Sequence, residues 1–362
     1  MHTPLGANFA KIALGAILVT AVFACGHVAS AGGAACGPFG DAPVKVIGAV
    51  KPECGAGRLL GPWRDAEGTA HYACLFEPDS ASPENKLPLL VFLHPSLFDA
   101  ATVGRTGLLK MAATYPLSGN PKRPGFMVLA AQGRRTTHFY PFPDNRGRGW
   151  DNWYRQLNPA GSVKVGGKIY PENVDAAAID HFIMQVAAAG KVDTRRIYVT
   201  GWSNGAAMAM LYALDRPDIA AAAVYSGPDP FGAFNDPCPQ TPVSGAPASD
   251  KQIHIFNPRV PIMHVHNSCD IGGMCPNDER LAKELRGAGV SIDDVIIDGS
   301  GQQVDACWSW CGTNPDAYMS LLSCPIGWTL GLYHHSRWPS EWNRAMLDFL
   351  RSHPLRPAGV PF

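Results

Sequence analysis

The sequence predicts an α/β fold in which a mostly parallel sheet carries helices on both faces. Three observations point there: short continuous apolar runs, helical patterns alternating with them, and glycine or proline at the junctions. Leu87-Pro88-Leu89-Leu90-Val91-Phe92-Leu93 is the first run, stopped by His94-Pro95, and Phe126 to Ala131 is the second. Runs of this kind suit strands buried on both faces. A helix is expected from about Glu172 to Ala189. Asn173 can cap it, Val174, Ala178, Phe182 and Val186 form its apolar stripe, and Gly190 can end it. Ile197 to Thr200 reads as a strand, Ala206 to Leu214 as a helix and Val260 to Val265 as a strand. Asp278 to Arg286 follows as a helix, then Trp328 to Tyr333 as a late strand. Ser340 to Leu350 is a closing helix with Trp342, Met346, Phe349 and Leu350 on one face.

Composition narrows the function. The 362 residues are 46% hydrophobic and 17% charged, too apolar for intrinsic disorder. Thirty Lys and Arg balance thirty Asp and Glu, and no basic block stands out, so no field draws a nucleic-acid backbone. At the start, Lys11 precedes the apolar run Ile12 to Ala24, and Ala29-Ser30-Ala31 supplies a small-residue cleavage site. The pattern predicts a secretory signal over residues 1–31, since the run is shorter than the roughly 20 residues a membrane span needs. Lipidation at Cys25, behind the poor cleavage box Val22-Phe23-Ala24, is the alternative address. Residues 32–362 show no repeat or linker and are expected to form a single catalytic domain, secreted or periplasmic, without stable membrane insertion.

Ten cysteines are present, and nine follow residue 31: Cys36, Cys54, Cys74, Cys238, Cys269, Cys275, Cys307, Cys311 and Cys324. In an exported chain these read as disulfides, and an odd number leaves one thiol over. The rival is a metal site built from Cys307, Cys311, His334 and His335, a weaker reading because the spacing is not that of a zinc motif.

Gly201-Trp202-Ser203-Asn204-Gly205 has the form G-x-S-x-G. The bare pattern is weak among 38 glycines, but here a β-branched strand enters it and a helix of small residues leaves it. Such a corner lifts the Ser203 hydroxyl above the sheet beside a helix N-terminus, where developing negative charge is favoured.

The segment Asp193 to Met208, around Ile197-Tyr198-Val199-Thr200-Gly201-Trp202-Ser203-Asn204-Gly205, resembles the secreted polyhydroxybutyrate-depolymerase/feruloyl-esterase-like family of α/β-hydrolases. Val174-Asp175, Pro217-Asp218 and Ser226-Gly227 supply further landmarks in the family's order. The resemblance covers about Leu87 to Leu350 and implies the α/β-hydrolase fold and a serine triad in the order Ser, acid, His. Asn267-Ser268-Cys269-Asp270 sits where the family carries its acid, which implies Asp270, with Asn267 replacing a glycine. Asp298 and Asp305 are reserves. His334-His335-Ser336-Arg337-Trp338-Pro339 resembles the family's terminal His-x-Trp-Pro with one extra residue, which implies His335 as base and His334 behind it. His264 and His266 precede the acid and read as buried strand histidines.

A tetrahedral intermediate needs two preorganised donors. The amide after the nucleophile, Asn204, is one. The other comes from His94-Pro95-Ser96-Leu97, where proline has no N–H, leaving Ser96, the choice here, or Leu97. Trp202 and, in the aromatic cluster Gly149 to Tyr154, Trp153 are candidates for binding substrate; a core role suits Trp153 equally. The resulting expectation is a secreted serine esterase that forms an acyl-enzyme and needs no metal or organic cofactor. Its substrate would be a small or polymer-linked ester: feruloyl, acetyl or similar esters of plant cell-wall polysaccharide, with polyhydroxyalkanoate polyester as the alternative. A ligand-binding member without catalysis, kept open by Pro95 and the shifted His-to-Trp spacing, is the non-enzyme alternative. A peptidase using the same triad is the third.

Overall fold

The computed structural model describes residues 46–47, 50–65, 68–136, 148–150, 162–165, 168–171, 174–228, 255–270, 274–307 and 331–355. The expected signal segment 1–31, Asn173 and Trp153 lie outside these residues.

Nine strands form the main sheet: β1 Arg58–Arg64, β2 Ala70–Phe76, β3 Leu87–Leu93, β4 Met127–Ala131, β5 Val192–Trp202, β6 Ala221–Tyr225, β7 Ile262–Asn267, β8 Ile292–Ile297 and β9 Gln303–Val304. Their spatial order is β9-β8-β7-β6-β5-β3-β4-β2-β1. Pairings from β8 to β4 are parallel, and both edges end in antiparallel strands. Alternate residues of β3 serve different layers. Leu89, Val91 and Leu93 meet one hydrophobic cluster, while Leu90 and Phe92 meet the other. That two-sided burial is why β3 reads as an unbroken apolar run.

Helices α1 Val174–Ala187, α2 Asn204–Asp215 and α3 Met274–Gly287 pack in the first cluster through Ala176, Ile179, Phe182, Met208, Ala209, Leu281 and Leu285. On the opposite face lie the 3-10 turn Ala100–Arg105 and helix α4 Asn343–Ser352, which contributes Met346, Leu347 and Leu350. The expected helices and strands from residue 87 to 286 are present, with boundaries displaced by a few residues. Gly190, at φ 74°, closes the turn after α1. The late strand expected over Trp328 to Tyr333 is corrected: residues 331–335 are helical. A short apolar run does not distinguish strand from helix by itself, and here the helix won.

Cys54–Cys74 and Cys275–Cys307 are disulfides, and Cys269 is disulfide-bonded as well. The pairing of Cys307 with Cys275 overturns the metal reading, because that sulfur is no longer a thiolate ligand. Among the described residues no helix is long and apolar enough to cross a membrane.

Sheet order also places the site. After β3 the chain moves outward to β4, then crosses back to β5 on the other side of β3. Connections leaving the carboxyl ends of β3 and β5 therefore diverge and leave a crevice between them, the position where open α/β sheets hold their ligands.

Candidate active site

Ser203 stands at the carboxyl end of β5, with φ 56° and ψ −123°. A non-glycine residue rarely holds positive φ, so the conformation must be imposed by its surroundings. Those surroundings are tight. A Cβ on Gly201 would collide with the Gly205 carbonyl, and one on Gly205 would strike the Leu93 and His94 carbonyls. Both glycines of the motif are required by close backbone contact, which lets α2 start directly against the end of β3. The Ser203 carbonyl accepts from the amides of Ala206 and Ala207, opening α2.

His335 closes helical residues 331–335 and reaches the serine across 132 positions of sequence, with Nε2 at 2.7 Å from Ser203 Oγ. Its Nδ1 lies 2.7 Å from Asp270 Oδ1. A carboxylate oxygen can only accept, so Nδ1 carries the proton and Nε2 faces the serine hydroxyl with its lone pair. This is the arrangement in which an imidazole takes a proton from serine while the carboxylate fixes its tautomer. The chain has the α/β-hydrolase fold with a serine-hydrolase triad in place. Ser203 is 8% exposed, His335 9% and Asp270 fully buried, so the acid is shielded while the nucleophile borders the surface.

Sequence comparison is silent on this chain: no family model matches it, and no curated protein resembles it significantly. Solved structures are similar at low identity. A thermostable esterase shares 18% identity over 83% of this chain and 64% of that one, with TM-score 0.45, so the chain spans less than two thirds of that protein's length. Acetyl xylan esterase from Aspergillus awamori shares 17% over 74% of this chain and 99% of its own, with TM-score 0.45. An esterase of the planctomycete Thermogutta terrifontis shares 13% over 85% and 97%, with TM-score 0.44.

The triad is held by residues whose supporting role the sequence did not reveal. Ser226, at φ 53° just past β6, donates its hydroxyl to Asp270 Oδ2, so both carboxylate oxygens are engaged. Asn267, the departure from glycine, shapes the acid's turn: its Oδ1 accepts from Cys269 N at 2.9 Å and its Nδ2 donates to Asp298 O at 3.1 Å. The base is held through its backbone. Tyr225 Oη donates to His334 O at 3.0 Å, and Trp202 Nε1 donates to His335 O at 2.8 Å. Trp338 packs edge-on against both aromatics, with centroids 6.1 Å from Trp202 and 5.9 Å from Tyr225.

Other candidates separate clearly. The His334 ring is half-buried over Gly299 while His335 takes the triad position, and burial lowers the pKa of His334. Asp298 accepts from Ser300 N and Gln302 N in its own turn, and Asp305 is exposed. His264 and His266 are fully buried on β7; burial holds the His264 pKa down at about 3. Trp202, expected to touch substrate, is 4% exposed, its indole N–H spent on His335. This geometry makes it a support for the base.

Around the expected oxyanion donors, Asn204 begins α2, where first-turn amides lack intrahelical acceptors. Its side-chain Oδ1 accepts from Trp150 N at 2.8 Å, and Trp150 Nε1 donates to His94 O at 2.8 Å. The turn 95–98 is closed by Phe98 N donating to Pro95 O at 3.3 Å. Leu97, at φ 69°, donates its N–H to Arg148 O at 2.8 Å. That bond commits the amide which rivalled Ser96.

Proposed function

We propose that this chain is an exported carboxylic-ester hydrolase working through an acyl-enzyme. One observation carries the reading: a strained Ser203 within 2.7 Å of an imidazole that is itself 2.7 Å from a buried carboxylate. Ser203 Oγ attacks the ester carbonyl as His335 Nε2 takes its proton. The negative charge on the carbonyl oxygen falls to the amides of Asn204 and Ser96. His335 then returns the proton to the departing alcohol, leaving an acyl group on Ser203. Water, deprotonated by the same imidazole, releases the acid and restores the hydroxyl.

Residues 1–31 are the export signal in this reading, and residues 32–362 form one catalytic unit. The substrate class is feruloyl, acetyl or similar esters of plant cell-wall polysaccharide, following the motif resemblance around Ser203. The test is a panel of methyl ferulate, acetylated xylan, p-nitrophenyl esters and hydroxybutyrate oligomers offered to the mature protein and to Ser203→Ala. Hydrolysis of ferulate or acetylxylan esters, reduced by about 10⁶ in the variant, is expected. Turnover confined to the hydroxybutyrate oligomers would move the assignment to polyester, and equal rates for wild type and variant would end the enzyme reading.

A further inference from the structure

Leu97 occupies a backbone conformation and an environment that both disfavour leucine. It is the third residue of the turn that Phe98 N closes on Pro95 O, and its φ is 69°. That place suits glycine or asparagine, because a bulky side chain at positive φ crowds the backbone. Burial does not offset the strain, since Leu97 is 63% exposed. Its amide bond to Arg148 O, at 2.8 Å, is a backbone contact that glycine or asparagine would make equally well. Folding therefore gives no reason for a leucine here, and strained residues of this kind cluster where side chains meet ligands.

The surroundings of the turn indicate which ligand. A Cβ on Gly205 would lie 2.5 Å from His94 O, and the Phe98 ring stacks on Trp202 with centroids 6.2 Å apart. The residues on both sides of the turn tip thus touch residues on both sides of Ser203, which sets the tip beside the nucleophile. It stands on one flank. The turn follows β3, whereas Ser226 and Asp270 follow β6 and β7 on the other side of β5. His335 bonds Asp270 on that far flank, and the departing alcohol must lie against His335 Nε2 to receive its proton. The acyl group is left to the β3 flank. We propose that Leu97 is a specificity-determining residue: its exposed side chain covers the apolar part of the acyl group and favours esters of acids larger than acetate. The inference rests on the ester-hydrolysis reading and narrows it, within the proposed substrate class, towards ferulate-like acyl groups over acetyl.

The ratio of kcat/KM for p-nitrophenyl butyrate to that for p-nitrophenyl acetate reads this contact, because the alcohol is the same and the acyl groups differ by two methylenes. Wild type is expected to favour butyrate by about tenfold, given about fourfold per fully buried methylene. Leu97→Asn and Leu97→Gly suit the positive φ. Each is expected to lower the ratio by about fivefold while unfolding in urea at the wild-type midpoint or above it, the mark of strain retained for function. Leu97→Met, apolar and of similar volume, is expected to keep the ratio within about twofold of wild type. A wild-type preference for acetate, or a ratio unchanged in the asparagine and glycine variants, would overturn the proposal. So would a lower unfolding midpoint in both of those variants, which would give the leucine a structural purpose. Selectivity lost across a series of alkyl acetates, with the acyl ratio kept, would put Leu97 against the alcohol and refute the acyl assignment. Failure of the underlying reading looks different: wild type would hydrolyse neither ester faster than Ser203→Ala.

Discussion

At Ser203, Leu97 and Ser226 the backbone enters the left-handed region with a side chain present, and all three lie on the loops that assemble the site. Strain of this kind persists only where neighbouring structure enforces it. For Ser226 the return is a hydroxyl on the second oxygen of Asp270. Ser226→Gly removes that donor while suiting the positive φ, and is expected to lower kcat by about 10- to 100-fold, the worth of one hydrogen bond to a charged group. A variant with wild-type kcat would show that Asp270 needs no second partner. Asp270→Asn should cost about 10⁴ in kcat, because an amide no longer enforces the productive tautomer of His335. A loss below tenfold would transfer the orienting role to another residue. The three triad side chains were legible because each sits in a short local pattern near a strand or helix end. Ser226 was present only as an unexplained landmark, and Tyr225 carried no signal at all. Their roles depend on contacts made 44 and 109 positions away, for which a single sequence carries no local signal.

Helix α1 is anchored at its first turn by Asp175, which takes Arg134 Nε at 2.7 Å and Nη2 at 3.2 Å with both side chains buried. A buried pair stripped of one member leaves an uncompensated charge, so Asp175→Ala should destabilise the protein by about 3–5 kcal/mol. A shift below about 1 kcal/mol in urea unfolding would show the arginine finding water or another partner, since exposed pairs are worth no more than that. Across the sheet, Cys54–Cys74 ties the segment before β1 to β2 at a sequence separation of 20. Chain-entropy reasoning gives a bridge of this loop length about 3 kcal/mol, so Cys54→Ala should lower the unfolding midpoint accordingly. Long, strongly patterned elements such as β3, α1 and α4 could be read directly. Strand β6, Ala221–Tyr225, could not, because three alanines carry little β signal and only its fully buried setting makes it a strand. Strand β8 escaped for a different reason: Asp293 and Asp294 interrupt its apolar pattern, and the half-buried Asp294 is met by His266 Nε2 at 2.9 Å.

Over the whole molecule, buried histidines set the response to acid. His94 and His264 have pKa values lowered to about 4 and about 3 by burial, against the ordinary histidine value of 6.5. Below pH 6.5 the unfolded chain takes up protons at these two positions while the native state does not, so stability must fall as pH drops from 6.5 towards 4. Each histidine contributes a slope on the order of 1 kcal/mol per pH unit in that window, and protonation of His94 in the native state ends its share near pH 4. Denaturant midpoints that rose on acidification from pH 6.5 to 4.5 would contradict this. On the same scale, the crossover from β4 back to β5 gathers Ser203, Asp270 and the His94–Leu97 turn at the carboxyl edge of the sheet, with His335 brought in from the far end of the chain. The most direct test of that convergence is peptide mapping by mass spectrometry after brief exposure of the mature protein to a fluorophosphonate. A single adduct on Ser203, formed rapidly in wild type and at least about a hundredfold more slowly in His335→Ala, is the expected result for a serine activated by that base. Labelling elsewhere, or equal labelling of Ser203 with and without His335, would contradict the account.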